Sequence, residues 1–153
     1  MTDQNKVTKP SGGNFLFGPV QSFESAQKQA RIGAYAAYAY AGVIVLIAVT
    51  SLLSPSFNQG VMGPTSTSQL IGATIGMLIE ALIYGGLGYA ISRGSRVAAV
   101  VSLVAFVLEK IVFLPPKISL IGVVFSIAML VLFTIGIRGT VAWHRLNVSP
   151  QSN

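Results

Sequence analysis

Hydrophobic residues in this chain gather into four runs, 32–53, 70–92, 97–114 and 118–137, separated by polar stretches that carry glycine and proline. The runs hold 22, 23, 18 and 20 residues. At ~1.5 Å rise per residue each is long enough to cross a hydrocarbon core ~30 Å thick. Only Glu80, Glu109 and Lys110 are charged within them. A backbone in lipid must satisfy its own hydrogen bonds, so each run predicts a transmembrane helix. The expected fold is all-α: an integral membrane four-helix bundle occupying 28–138, with a flexible tail at 1–27 and a second tail at 139–153.

The polar punctuation sets the connections. Ser22 is suited to cap a helix N-terminus, with Glu24 in the first turn and Lys28 four residues on, so the first helix is expected to begin near Phe23. Pro55 ends it. The stretch 92–96 is short enough to make the second and third helices an antiparallel hairpin, and Pro115 and Pro116 separate the third from the fourth.

Charge adds orientation. Lys6, Lys9, Lys28, Arg31, Arg93, Arg96, Arg138 and Arg145 all fall on one side if the spans alternate, against Lys117 and Lys110 toward the other. By the positive-inside rule this places both termini in the cytoplasm. Tyr35, Tyr38 and Tyr40 follow Arg31 at the depth of an aromatic interface belt. Trp143 and Arg145 suit the headgroup region at the same face, so Tyr35, Tyr38, Trp143 and Arg145 are the expected interface anchors.

Composition changes the picture mainly by exclusion. Charged residues are 9% of the chain, against about 25% in soluble domains. The net charge of +6 is spread over helix ends and not over a soluble face, which argues against nucleic acid as a partner. There is no cysteine and a single histidine, His144, so one chain assembles neither a zinc site nor a bis-histidine haem. Neither a nucleotide-binding glycine motif nor a serine with histidine and carboxylate in reach is present. The chain reads as a protein without cofactor, metal site or enzymatic activity.

The candidate chemistry is intramembrane. Glu80 sits near the middle of the second run, where a carboxyl is costly and marks a functional hypothesis. Gly72, Gly76 and Glu80 are spaced by four and share a helix face; Gly72 and Gly76 would allow another helix to approach closely. Glu109 and Lys110 lie nearer the far end of the third helix. The tilt of Cα–Cβ bonds toward helix N-termini brings them closer in depth to Glu80, which makes a Glu80–Lys110 pair reasonable. The alternative is that Lys110 snorkels outward, Glu109 pairs with it or with Lys117, and a protonated Glu80 is hydrogen-bonded between helices.

The segment Gly136, Ile137, Arg138, Gly139, Thr140, Val141, Ala142, Trp143, His144, Arg145, Leu146 resembles the ending of small four-helix bacterial inner-membrane proteins of unknown function. In those an arginine–glycine/alanine–threonine run precedes an aromatic, a histidine and a basic residue. The resemblance implies a multi-pass protein of the plasma (inner) membrane and carries no activity with it. Two functions follow as expectations. One is a non-catalytic accessory subunit or scaffold, partnered by the bilayer and by other membrane proteins or its own copies. The other is a small oligomeric transporter or channel using Glu80 as a proton or cation site.

Overall fold

The computed structural model describes residue 20 and residues 22–54, 66–112 and 120–148. Four helices account for nearly all of them: α1, Phe23–Leu53; α2, Thr67–Ser92; α3, Arg96–Val112; and α4, Leu120–Val148. The expectations for the N-terminal tail before Val20, the loop after Pro55, the turn at Pro115 and Pro116, and the last five residues lie outside the described residues.

The helices start where local chemistry supplies partners for free backbone N–H groups. Ser22 caps α1 by accepting from the Ser25 N–H at 3.2 Å, and Ser25 Oγ accepts in turn from the Ser22 N–H at 3.3 Å. Such a reciprocal box satisfies two of the four orphan donors of a helix start. Glu24 and Lys28 form an exposed i,i+4 ion pair at 2.7 Å, and Lys28 holds the Glu24 carboxyl below the usual carboxylate range. The same box recurs on α2, where Ser66 and Gln69 exchange bonds.

The turn from α2 to α3 is a Schellman motif. Gly94 adopts φ 85°, its N–H donates to Ile91 O at 2.8 Å, and the Ser95 N–H donates to Ala90 O at 3.0 Å. Ser95 Oγ then accepts from the Ala98 N–H at 3.2 Å and opens α3. Trp143 carbons lie 3.4 Å from where a Gly94 Cβ would stand. Gly94→Ala is therefore expected to lower stability by about 1–2 kcal/mol through left-handed strain alone, read as a drop in thermal midpoint in detergent.

Successive helices run antiparallel. α1 packs most extensively, against α2 and α4, and α3 closes the ring against α2 and α4. Phe23, Gly94 and Trp143 meet at one end: the Phe23 and Trp143 rings are edge to face at 5.6 Å, and Trp143 lies on Gly94. The start of α1, the α2–α3 turn and the close of α4 are thus at the same end, the end that carries Lys28, Arg31, Arg93, Arg96, Arg138 and Arg145. His144 joins this knot, its Nε2 3.2 Å from Gly94 O.

One expectation is corrected by these helix lengths: residues 139–148, expected as a tail, continue α4, and Gly139, Trp143 and His144 meet α1 and the α2–α3 turn. Trp143, expected as an interface anchor, is half-buried, its ring against Phe23 and Gly94. Three helices, α1, α2 and α4, are long and apolar enough to cross a membrane, and α3 shows 17 described residues. Outward-facing Ile71, Ile75, Ile79, Leu82, Val104, Leu108, Val124 and Ile127 are exposed. An apolar surface of that extent is one that lipid covers. The chain is an all-α membrane protein.

The tightest helix contact is between α1 and α4. A Cβ built on Gly33 would stand 2.5 Å from Gly136 Cα, and one built on Gly136 would stand 2.6 Å from Gly33 Cα. One turn further on, Gly139 faces the backbone of Gln29 and Ala30. Without a hydrophobic drive between helices in lipid, close backbone packing at small residues supplies the attraction. Gly72 and Gly76, expected to pack a helix, do not pack one among the described residues: a Cβ at either would meet no described atom within 4 Å, and both are exposed.

Candidate functional site

α2 turns one stripe inward: Thr74, Ala81, Tyr84, Gly88 and Ile91 are buried, spaced by seven, three, four and three. Glu80 precedes Ala81 and so flanks that stripe, half-buried and roughly halfway along α2. Tyr84 is one turn from Glu80 on the same side. Its side chain leans toward the α2 N-terminus, that is toward Glu80. α3 brings Glu109 and Lys110, both half-buried, to the same depth. α1 contributes Tyr40, which is 4% exposed.

These five side chains form one cluster. Tyr40 donates its phenol proton to the Glu109 carboxylate, with 2.6 Å to each of Oε1 and Oε2. Lys110 Nζ donates to Glu109 Oε1 at 2.7 Å and to Tyr40 Oη at 3.1 Å. Glu80 stands beside this network, half-buried and one turn from Tyr84, whose ring meets that of Tyr40. Glu109 accepts from both a phenol and an ammonium, the partners that suit a carboxylate, and Lys110 balances its charge.

Aromatic rings wall it in. Tyr40 meets Tyr84 edge to face at 4.7 Å and Phe106 at 5.2 Å, and stacks on Phe125 at 6.3 Å. Phe133 completes the wall beside Phe106 and Tyr84. The Lys110 ammonium lies 5.3 Å from the Tyr40 ring centre and 5.1 Å from that of Phe106, a cation–π arrangement that offsets part of its lost hydration. The cluster is open on one flank: the Lys110 and Glu109 side chains are 39% and 21% exposed.

The sequence-selected residues separate clearly. Glu109 and Lys110 come together as an ion pair, with Glu80 at a similar depth on the neighbouring helix; of the two pairings expected, it is Glu109–Lys110 that forms among the described residues. Tyr35 is 66% exposed and Tyr38 is also exposed, as interface residues are, and so is Arg145. Tyr40 is not a belt residue but the hub of the site. Tyr84 is a member that sequence reasoning did not select; its i+4 spacing from Glu80 was the available signal.

Thr50, Thr74, Ser102, Thr134 and Thr140 donate to carbonyls three or four residues back on their own helices, at 2.8–3.0 Å. Ser51 Oγ is buried and has no partner among the described residues. No protein family, curated protein or solved structure matches the chain.

Proposed function

We propose that this chain is a non-catalytic accessory subunit of a membrane-protein assembly, resident in a bacterial plasma membrane with its basic end and both termini in the cytoplasm. The observation that carries the reading is the open flank of the Glu109–Lys110 pair beside an unpacked stretch of α2. One copy leaves an ion pair part-exposed at membrane depth, and leaves Gly72 and Gly76 on open surface along the α2 face that leads to Glu80. Lipid is a poor solvent for the first and gains nothing from the second. A neighbouring helix from another membrane protein would cover both, with glycine permitting close approach and the charged pair supplying hydrogen-bond partners. The six described basic residues at one end, Lys28, Arg31, Arg93, Arg96, Arg138 and Arg145, support the orientation.

Gly72→Leu/Gly76→Leu tests this, because both positions are exposed and a Cβ at either meets no described atom within 4 Å, so the bundle itself should keep its thermal midpoint. Native-abundance extraction in mild detergent should recover the wild-type chain with a fixed set of larger membrane proteins, and the double variant without them. A wild-type chain that migrates alone after gentle extraction and after in-membrane cross-linking would refute the assembly role.

A further inference from the structure

Apart from the α2 surface that the assembly reading uses, we propose that the outer face of α3 at the basic end binds one anionic phospholipid, with its phosphate on Arg96 and the start of an acyl chain over Val97, Val100 and Val101.

The face pattern of α3 comes first. Ala98, Ala99, Ser102 and Phe106 are buried, and Val97, Val100, Val101, Val104 and Leu108 are exposed. The exposed positions are spaced by three, one, three and four, so they form a single apolar stripe along the helix. At its basic end the stripe is concave: Arg96, Val97, Val100 and Val101 line a groove of about 380 Å³. Valine is short and stiff at χ1, so the floor of the groove is shaped before a ligand arrives. From Arg96 to Val101 the helix rises ~8 Å, the depth of a phosphate, a glycerol and the first methylenes. Val104 and Leu108 continue the path for the rest of the chain.

Charge selects the headgroup. Lys28 is paired with Glu24 at 2.7 Å, the carboxylate described at this end. Arg93 donates to Tyr89 Oη at 2.7 Å and lies 5.1 Å from the centre of that ring. Arg138 and Arg145 also interact with other groups. Arg96 is exposed, makes no hydrogen bond or ion pair among the described residues, and is the basic residue that lines the groove. Its guanidinium presents a planar fork of donors that matches two phosphate oxygens. A zwitterionic headgroup brings its own ammonium to the phosphate and gains less from Arg96 than an anionic one. A free phosphate ion would meet Arg96 but leave the valines uncovered, so the occupant that uses both halves of the groove is a lipid.

The test uses the isolated full chain in phosphatidylcholine liposomes, so its outcome is separate from that of the assembly reading. A trace phospholipid carries a photoactivatable diazirine near the start of one acyl chain, on either a phosphatidylglycerol or a phosphatidylcholine headgroup. Mass-spectrometric mapping should find Val97, Val100 and Val101 labelled about fivefold more by the anionic probe, the preference that one basic residue gives at a membrane surface. Unlabelled phosphatidylglycerol should compete, and inorganic phosphate should not. Arg96→Gln should bring the two probes level. Arg93→Gln removes the same charge from the same turn and should leave the preference in place. Equal labelling by the two probes in the wild-type chain, a preference that survives Arg96→Gln, an equal loss in Arg93→Gln, or competition by inorganic phosphate would each overturn the proposal. The comparison of the two probes on the wild-type chain stands even if a variant fails to fold.

Discussion

Gly33→Ala should be among the most damaging single-methyl substitutions in this protein, costing about 3 kcal/mol or more and separating α1 from α4. The added carbon would lie 2.5 Å from Gly136 Cα, a backbone atom that no rotamer change can move away. Overpacking of a close interface ordinarily costs 1–3 kcal/mol, and more where relief needs a helix to shift. The shift would propagate, since Gly139 sits against Gln29 and Ala30 one turn beyond, and Trp143 touches Phe23 beyond that. Thermal unfolding in detergent followed by circular dichroism measures the effect. Gly42→Ala is the matched control on the same helix: no described atom lies within 4 Å of its Cβ position, and its midpoint should not fall. Equal losses in the two variants would show that the cost comes from alanine in α1 generally and not from the Gly33–Gly136 approach.

That seam also shows how far sequence reasoning reaches. The apolar runs followed from the thickness of a bilayer, and the Ser22 cap followed from the need of a helix start for acceptors. The alternation of spans predicted that Arg31, Arg93 and Arg138 share one end, and the Phe23, Gly94 and Trp143 contacts place them there. Rotation about each helix was harder to read. Gly72, Gly76 and Glu80 do share a face, but spacing by four does not say which way that face points. The inward direction on α2 is set by Thr74, Ala81, Tyr84, Gly88 and Ile91, and it leaves the two glycines outside.

Tyr40 illustrates the same limit on α1. Its distance from Arg31 fits an interface belt, and depth alone groups it with Tyr35 and Tyr38. At ~100° per residue, however, two residues separate Tyr38 from Tyr40 by more than half a turn, so the pair face opposite ways. Gly33, Ala37, Ile44, Ala48 and Ser51 lie at helical spacing with Tyr40, and all are buried. That stripe was the available sign that Tyr40 belongs to the core. The C-terminal motif likewise has structural content that a likeness alone did not convey. Gly139 admits the α1 backbone, Thr140 is fully buried, Trp143 covers Gly94, and His144 reaches the Gly94 carbonyl.

Lys110→Met should destabilise the bundle by about 3 kcal/mol, and adding Glu109→Gln should restore most of that loss. Removing one member of a desolvated ion pair leaves the other uncompensated and typically costs 3–5 kcal/mol; the open flank at Lys110 argues for the lower end. Methionine keeps the unbranched stem against Phe106, so the loss reports charge more than packing. With glutamine at 109 no charge remains to be compensated, and the carbonyl oxygen still accepts from the Tyr40 phenol that the carboxylate holds now. The neutral double variant should approach the wild-type midpoint, since replacing both members of such a pair is often close to neutral. The pair is then a device that keeps a carboxylate at membrane depth, next to Glu80, and not a main source of stability. A double-mutant cycle on thermal midpoints decides this: strictly additive losses would mean that Lys110 and Glu109 contribute separately and are not coupled as a pair.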